Sequence, residues 1–209
     1  LGPLLVLAGA GSGKTKVLVS RIAYIIQQHQ ASPYRILAVT FTNKAANEMK
    51  DRLQELVGDV RLGSLWMGTF HGLSYRLLRA HSEAAGLSPH FQVLDSDDQL
   101  RLVRRACKLL NISDEQTEAK QFQSFINRKK DDGIRVSTLA TSPTSSTFEQ
   151  IAISVYQQYE QLCKENHRID FADILLLSYE LLQKNPALLQ NYQEKFQHIL
   201  VDEFQDTNT

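Results

Sequence analysis

The chain has 209 residues, 43% of them apolar, with 23 Lys and Arg balanced by 23 Asp and Glu. That length supports one sizeable core or a core with a smaller satellite, and the balanced charge excludes a whole-chain basic footprint for nucleic acid while leaving room for a local groove. No apolar stretch approaches the ~18 residues of a membrane span. The two cysteines, Cys107 and Cys163, match no metal or redox spacing, so reduced thiols in a cytoplasmic protein are the expectation.

In chain order, LLVLA (4–8) reads as a buried strand meeting a Gly-rich turn, and it follows Leu1 so closely that the natural chain is expected to begin earlier. KTKVLVSRIAYIIQQ (14–28) carries Val17, Ile22, Ile25 and Ile26 at helical spacing. ILAVTF (36–41) is a second strand, followed by the helix NKAANEMKDRLQELV (43–57). LWMGTF (65–70) is a third, followed by the helix HGLSYRLLRAHSEAAG (71–86). Strands alternating with helices imply a parallel sheet with right-handed crossovers. FQVLD (91–95) suits a short further strand.

From residue 96 to 184 the pattern is helical. SDDQ (96–99) and SDEQ (113–116) read as capping boxes. Ile151, Val155, Tyr159 and Leu162 form one core stripe. Residues 137–147, eight of eleven of them Ser or Thr, read as a surface loop, and NRKK (127–130), followed by Asp131 and Asp132, as a solvated helix end. Asn185 and Pro186 cap and open a helix that leads to HILVD (198–202), the fourth strand. The expected fold class is α/β: a parallel-sheet domain from residues 1–95 and 185–209, with an all-helical insertion at 96–184.

AGAGSGKT (8–15) lies between the first strand and the first helix. It fits the phosphate-loop pattern G-x-x-x-x-G-K-[ST] except that Ala8 stands at its first position. Backbone N–H groups of such a loop, with a helix N-terminus behind it, wrap a phosphate. Ala10, Gly11, Ser12, Gly13, Lys14 and Thr15 are therefore the candidate nucleotide-binding residues, with Lys14 on the β- and γ-phosphates and the Thr15 hydroxyl on Mg²⁺. In open α/β sheets ligands bind beyond the carboxyl ends of the strands, where VDEFQDTN (201–208) begins. A carboxylate at a buried strand end needs a cation. Asp202 is the candidate metal-side carboxylate, and Glu203 the group that orients or deprotonates an attacking water.

Together with AVTFTNKAANEM (38–49), GTFHGL (68–73) and IDFADIL (169–175), these motifs make the chain resemble a superfamily 1 DNA helicase of the UvrD/Rep/PcrA type along essentially its whole length, with the UvrD pattern fitting best. The resemblance implies a RecA-like P-loop NTPase sheet carrying an inserted helical domain, ATP and Mg²⁺ as cofactors, and 3′→5′ movement on single-stranded DNA with unwinding at single-strand/duplex junctions in repair or replication. It implies catalytic roles for Lys14, Glu203 and Gln205, the last sensing the γ-phosphate. Phe41, Thr42, Asn43, Thr69, Phe70 and His71 would line the DNA track. It also implies that the second motor domain and its arginine finger lie outside these 209 residues, so that the fragment alone is inactive.

The residues themselves leave alternatives. A Phe at a strand end can stack a base or belong to the core, and His71 can cap its helix instead of meeting phosphate. A nucleotide- or DNA-binding module without motor activity, a truncated or regulatory relative, is the alternative function. A P-loop kinase has no use for DEFQD.

Overall fold

A near-continuous apolar run such as ILAVT is what a strand covered on both faces requires, and in the computed structural model it forms the central strand of a small parallel sheet. The structure describes residues 3–7, 9, 11–112, 115–139 and 146–207. They form two compact units, Leu1–Leu73 with Leu182–Thr209, and Ser74–Leu181.

In the first unit β1 (Ile36–Thr40) pairs in parallel with β2 (Trp66–Thr69) on one side and β5 (His198–Val201) on the other. The register sets Thr40 beside Thr69 and Val39 beside Val201, so all three strands end at one edge. Helices α1 (Lys14–Gln27) and α2 (Asn43–Val57) bury Val19, Ile22, Ile25, Ile26, Met49 and Leu53 with Ile36, Ala38 and Met67 of the sheet. Val17 is exposed instead, off the buried face of α1. Helix α9 (Pro186–Lys195) follows Asn185 and sets Lys195 Nζ 4.4 Å from the ring centres of both Tyr34 and Trp66.

Two strand expectations change. Residues 4–7 form no strand, and Leu4 and Leu7 are each 84% exposed. An apolar run becomes a strand only where a neighbour pairs its N–H and C=O groups, and no described residue does so; Ala8 lies outside the described residues. Strand β5, read as buried, leaves Ile199 62% exposed, because β1 is its one strand partner among the described residues.

The second unit contains α4 (Ser96–Leu109), α5 (Gln116–Asp131), α6 (Val136–Leu139), α7 (Thr147–Glu165) and α8 (Phe171–Lys184) up to Leu181; α3 (Phe70–Ala80) precedes them. Its core joins Val103, Ala106, Phe122, Ile126, Val155, Tyr156 and Tyr159; Ile151, expected in that stripe, is exposed. The segment 91–95 supplies β3 (Gln92–Val93), which pairs with β4 (Arg168–Ile169), a strand not foreseen, in a separate two-stranded sheet. That pairing groups residues 74–95 with the helices and not with the first unit. The helix at 71–86 ends early, at Ala80. Helix α4 is capped by Asp95, whose carboxylate accepts from Asp98 N at 2.7 Å, one residue before the expected Ser96. Ser113 and Asp114 of the other capping box lie outside the described residues, as do 140–145 of the Ser/Thr-rich stretch.

The largest departure is NRKK. Lys130 is buried, with its Nζ 2.6 Å from Asp170 Oδ2 and 2.7 Å from Asp173 Oδ2. Its solvated neighbours mislead because its partners come from a distant segment. Asp170 and Asp173 also cap α8 reciprocally: Asp173 N donates to Asp170 Oδ1 at 2.9 Å, and Asp170 N to Asp173 Oδ2 at 3.2 Å. Both cysteines are buried thiols outside any disulfide, and burial pushes the Cys163 thiol up to about 12. No helix among the described residues is long and apolar enough to cross a membrane.

Candidate functional site

Helix α1 begins directly after a loop whose geometry only glycine adopts without strain. Gly11 and Gly13 have φ of 74° and 90°, and Gly13 is the residue before the first helical turn. Ser12 closes the turn, its hydroxyl donating to Gly9 O at 2.6 Å. The first N–H groups of a helix have no intrahelical acceptor, so this end presents donors and a positive dipole end. Lys14 and Thr15, its first two residues, are half-buried. Ala10 lies outside the described residues.

Strand β5 brings the acids to the same place. Asp202 N donates to Val39 O at 2.9 Å, which continues the β1–β5 ladder by one residue and buries the Asp202 side chain. Thr15 Oγ1 donates to Asp202 Oδ2 at 3.1 Å, across 187 positions of sequence. Lys14 Nζ lies 3.7 Å from Glu203 Oε2, a loose and partly exposed pair worth little on its own. Glu203 takes the left-handed conformation, φ 52° and ψ 49°, uncommon for a residue with a Cβ. Strain of this kind costs about 1–3 kcal/mol and gathers at working sites. Gln205 follows in a 3-10 turn and donates to Glu203 Oε2.

No group of three or more His, Cys, Asp or Glu that could hold a metal ion occurs among the described residues. One hydroxyl and one carboxylate at 3.1 Å do fit Mg²⁺ held jointly with phosphate oxygens, since that ion keeps waters and takes one or two carboxylates plus substrate phosphates.

The other candidates stand at the ends of β1 and β2. Because Thr40 and Thr69 are register partners, Phe41 and Phe70 emerge side by side, with ring centres 5.4 Å apart and planes at 60°. Phe41 is 39% exposed and Phe70 half-buried, so Phe41 is not a core residue. The Thr42 hydroxyl accepts from Ala45 N at 3.1 Å and caps α2; Asn43 opens that helix, exposed. The Thr69 hydroxyl accepts from Gly72 N at 3.1 Å, and His71 is half-buried in the first turn of α3. Both threonines thus do structural work that sequence reasoning did not assign. The capping of α2 was readable from T-x-x-A before an apolar helix.

The family described as UvrD/REP helicase N-terminal domain matches residues 1–209. Among curated proteins, the chain is 50% identical over 207 residues to DNA helicase II of Escherichia coli, covering 98% of this chain and 28% of that protein. It is 49% identical over 211 residues to DNA helicase II of Haemophilus influenzae, covering 100% and 29%. It is 41% identical over 207 residues to the ATP-dependent DNA helicase PcrA of Staphylococcus aureus, covering 99% and 28%. The chain therefore spans less than a third of the length of these relatives.

Proposed function

The chain belongs to the UvrD/REP helicase N-terminal domain family, and from that membership we propose that it is the N-terminal, ATP-binding part of a motor that moves 3′→5′ along single-stranded DNA and unwinds duplex in the cytoplasm, in repair or replication. The observation that carries the reading is the 3.1 Å contact between the Thr15 hydroxyl and Asp202, which brings the glycine loop and the acidic strand end within reach of each other, as one Mg-nucleotide site of a RecA-like P-loop fold would require. The backbone N–H groups of Gly11, Ser12 and Gly13 would hold phosphate, with Lys14 on the β- and γ-phosphates. Thr15 and Asp202 would face Mg²⁺, which when bound screens the phosphate charge. Glu203 would orient or deprotonate the water, and Gln205, through its hydrogen bond to Glu203, would couple the γ-phosphate to movement.

Phe41 and Phe70, with Thr42, Asn43, Thr69 and His71, would form the DNA track. Phe41→Ala in the whole protein is expected to weaken single-strand binding by about 1–3 kcal/mol, with nucleotide affinity and the unfolding midpoint little changed. A DNA titration beside a melting curve measures both. Unchanged affinity in a folded variant removes Phe41 from the track.

The whole protein tests the motor reading against that of a binding module with no motor output. DNA-stimulated ATP hydrolysis and strand separation that vanish in Lys14→Ala support the motor; nucleotide and DNA binding without turnover supports the module. The 209 residues alone are expected to bind nucleotide weakly and not to unwind. An arginine finger from a second domain is typically worth about 10³–10⁵ in rate, so brisk DNA-stimulated turnover by the isolated chain would show that no such domain is needed.

A further inference from the structure

In the second unit an aromatic stack meets solvent between two cations. Phe148, in the first turn of α7, lies parallel to Phe122 of α5, with centroids 5.5 Å apart and planes at 8°, and edge-on to Phe125 at 6.4 Å. Phe122 and Phe125 are buried, whereas Phe148 is 43% exposed. The stack thus ends in a ring with one face covered and further surface open. Beside it runs a shallow groove lined by Lys120, Gln121, Ser124, Phe125, Arg128 and Phe148. The four polar residues are exposed on α5. Lys120 and Arg128, eight positions and about 12 Å apart along the helix, have no ion-pair partner among the described residues. Their neighbour Lys129 does, with Glu149 at 3.7 Å.

A flat, backed ring between two uncompensated cations, with an amide and a hydroxyl alongside, suits a ligand that is both planar and anionic. An acidic peptide would use the cations and leave the ring idle. A duplex keeps its bases stacked on one another and offers Phe148 nothing to stack on. Single-stranded nucleic acid satisfies both features, its bases on the aromatic and its phosphates on Lys and Arg.

We propose that this groove is a second contact for single-stranded nucleic acid, a base lying on Phe148 and flanking phosphates on Lys120 and Arg128. It rests on the reading that the protein acts on DNA, and adds a contact in a unit to which that reading gives none.

The test uses the whole protein and fluorescein-labelled oligothymidylate, followed by anisotropy across a salt series, with a labelled duplex of equal charge in parallel. Phe148→Ala is expected to weaken single-strand binding about 5-fold or more and duplex binding not at all. Phe148→Trp should restore affinity and add fluorescence quenching on DNA addition beyond that of the wild type, which contains Trp66. Lys120→Gln with Arg128→Gln should make the slope of log K against log salt shallower by about 1.4 for two lost phosphate contacts. Wild-type binding that none of these variants alters, in affinity, slope or emission, overturns the groove and leaves the motor reading standing. An effect of the Gln pair with none of Phe148→Ala overturns base stacking. A whole protein that binds no DNA overturns both readings.

Discussion

Glu203→Gln in the whole protein is expected to bind ATP nearly normally and to lose hydrolysis by about 10²–10⁴, the range for general-base catalysis. The amide keeps the shape of the side chain and stays beside Lys14 and Gln205, which face Glu203. It also leaves the left-handed backbone at this position as it is, so the fold should hold. Asp202→Asn should fail differently. Its amide oxygen can still accept from the Thr15 hydroxyl, which lies 3.1 Å from the native carboxylate, but the charge facing Mg²⁺ is gone. Nucleotide affinity should then fall together with turnover, and added Mg²⁺ should partly restore both. Nucleotide affinity and single-turnover hydrolysis across a Mg²⁺ titration separate the two variants. Identical responses would show that one shared role had been divided between two residues.

What the sequence reveals of this site and what it hides have a common cause. Elements whose signal is local were legible. Helix α2 runs over the residues read for it, from Asn43 to Val57, because apolar periodicity and a Gly stop lie within its own segment. The carboxyl edges of β1, β2 and β5 were legible because each apolar run stops at a polar or aromatic residue with a functional look. Features that depend on a distant partner were not. Residues 4–7 are as apolar as β1 but have no strand beside them among the described residues. Lys130 sits among Arg128, Lys129, Asp131 and Asp132 and reads as surface, yet its partners lie 40 and 43 positions ahead. A signal existed: IDFAD sets carboxylates three apart at the mouth of an apolar helix, the spacing of a capping box. Two acids in such apolar company need a buried cation.

Lys130→Ala is the substitution expected to cost most in stability. It leaves buried Asp170 without its ammonium partner and buried Asp173 with Arg135 in its place, and removing one partner of a buried ion pair costs about 3–5 kcal/mol. Asp170 Oδ2 accepts from Lys130, Tyr159 and Gln99 at 2.6, 2.8 and 3.1 Å, and Asp173 Oδ1 from Arg135 at 2.9 Å. Burial works against the charged Lys130, but Asp173 and Asp170 hold its ammonium above the ordinary range. Burial likewise works against ionised Asp173, but Lys130 and Arg135 hold its carboxyl below the ordinary range. Asp173 therefore contributes stability that is full above its unfolded value of about 3.9 and is lost as pH falls through the lower folded one. Asp170, pushed up by burial and by Asp173, acts with the opposite sign, and because the two carboxylates share Lys130 the acid limb reports the pair and not either residue alone. The chain's two cysteines report on this unit alone, since both are buried within it. Thiol labelling of the 209-residue chain at neutral pH should run about 10²–10⁴-fold faster in Lys130→Ala if labelling follows opening of the unit. Arg128→Ala, an exposed neighbour, should stay within about 0.5 kcal/mol of wild type. Equal labelling rates in the two variants would show that Lys130 is as dispensable as the surface residue it looks like in sequence.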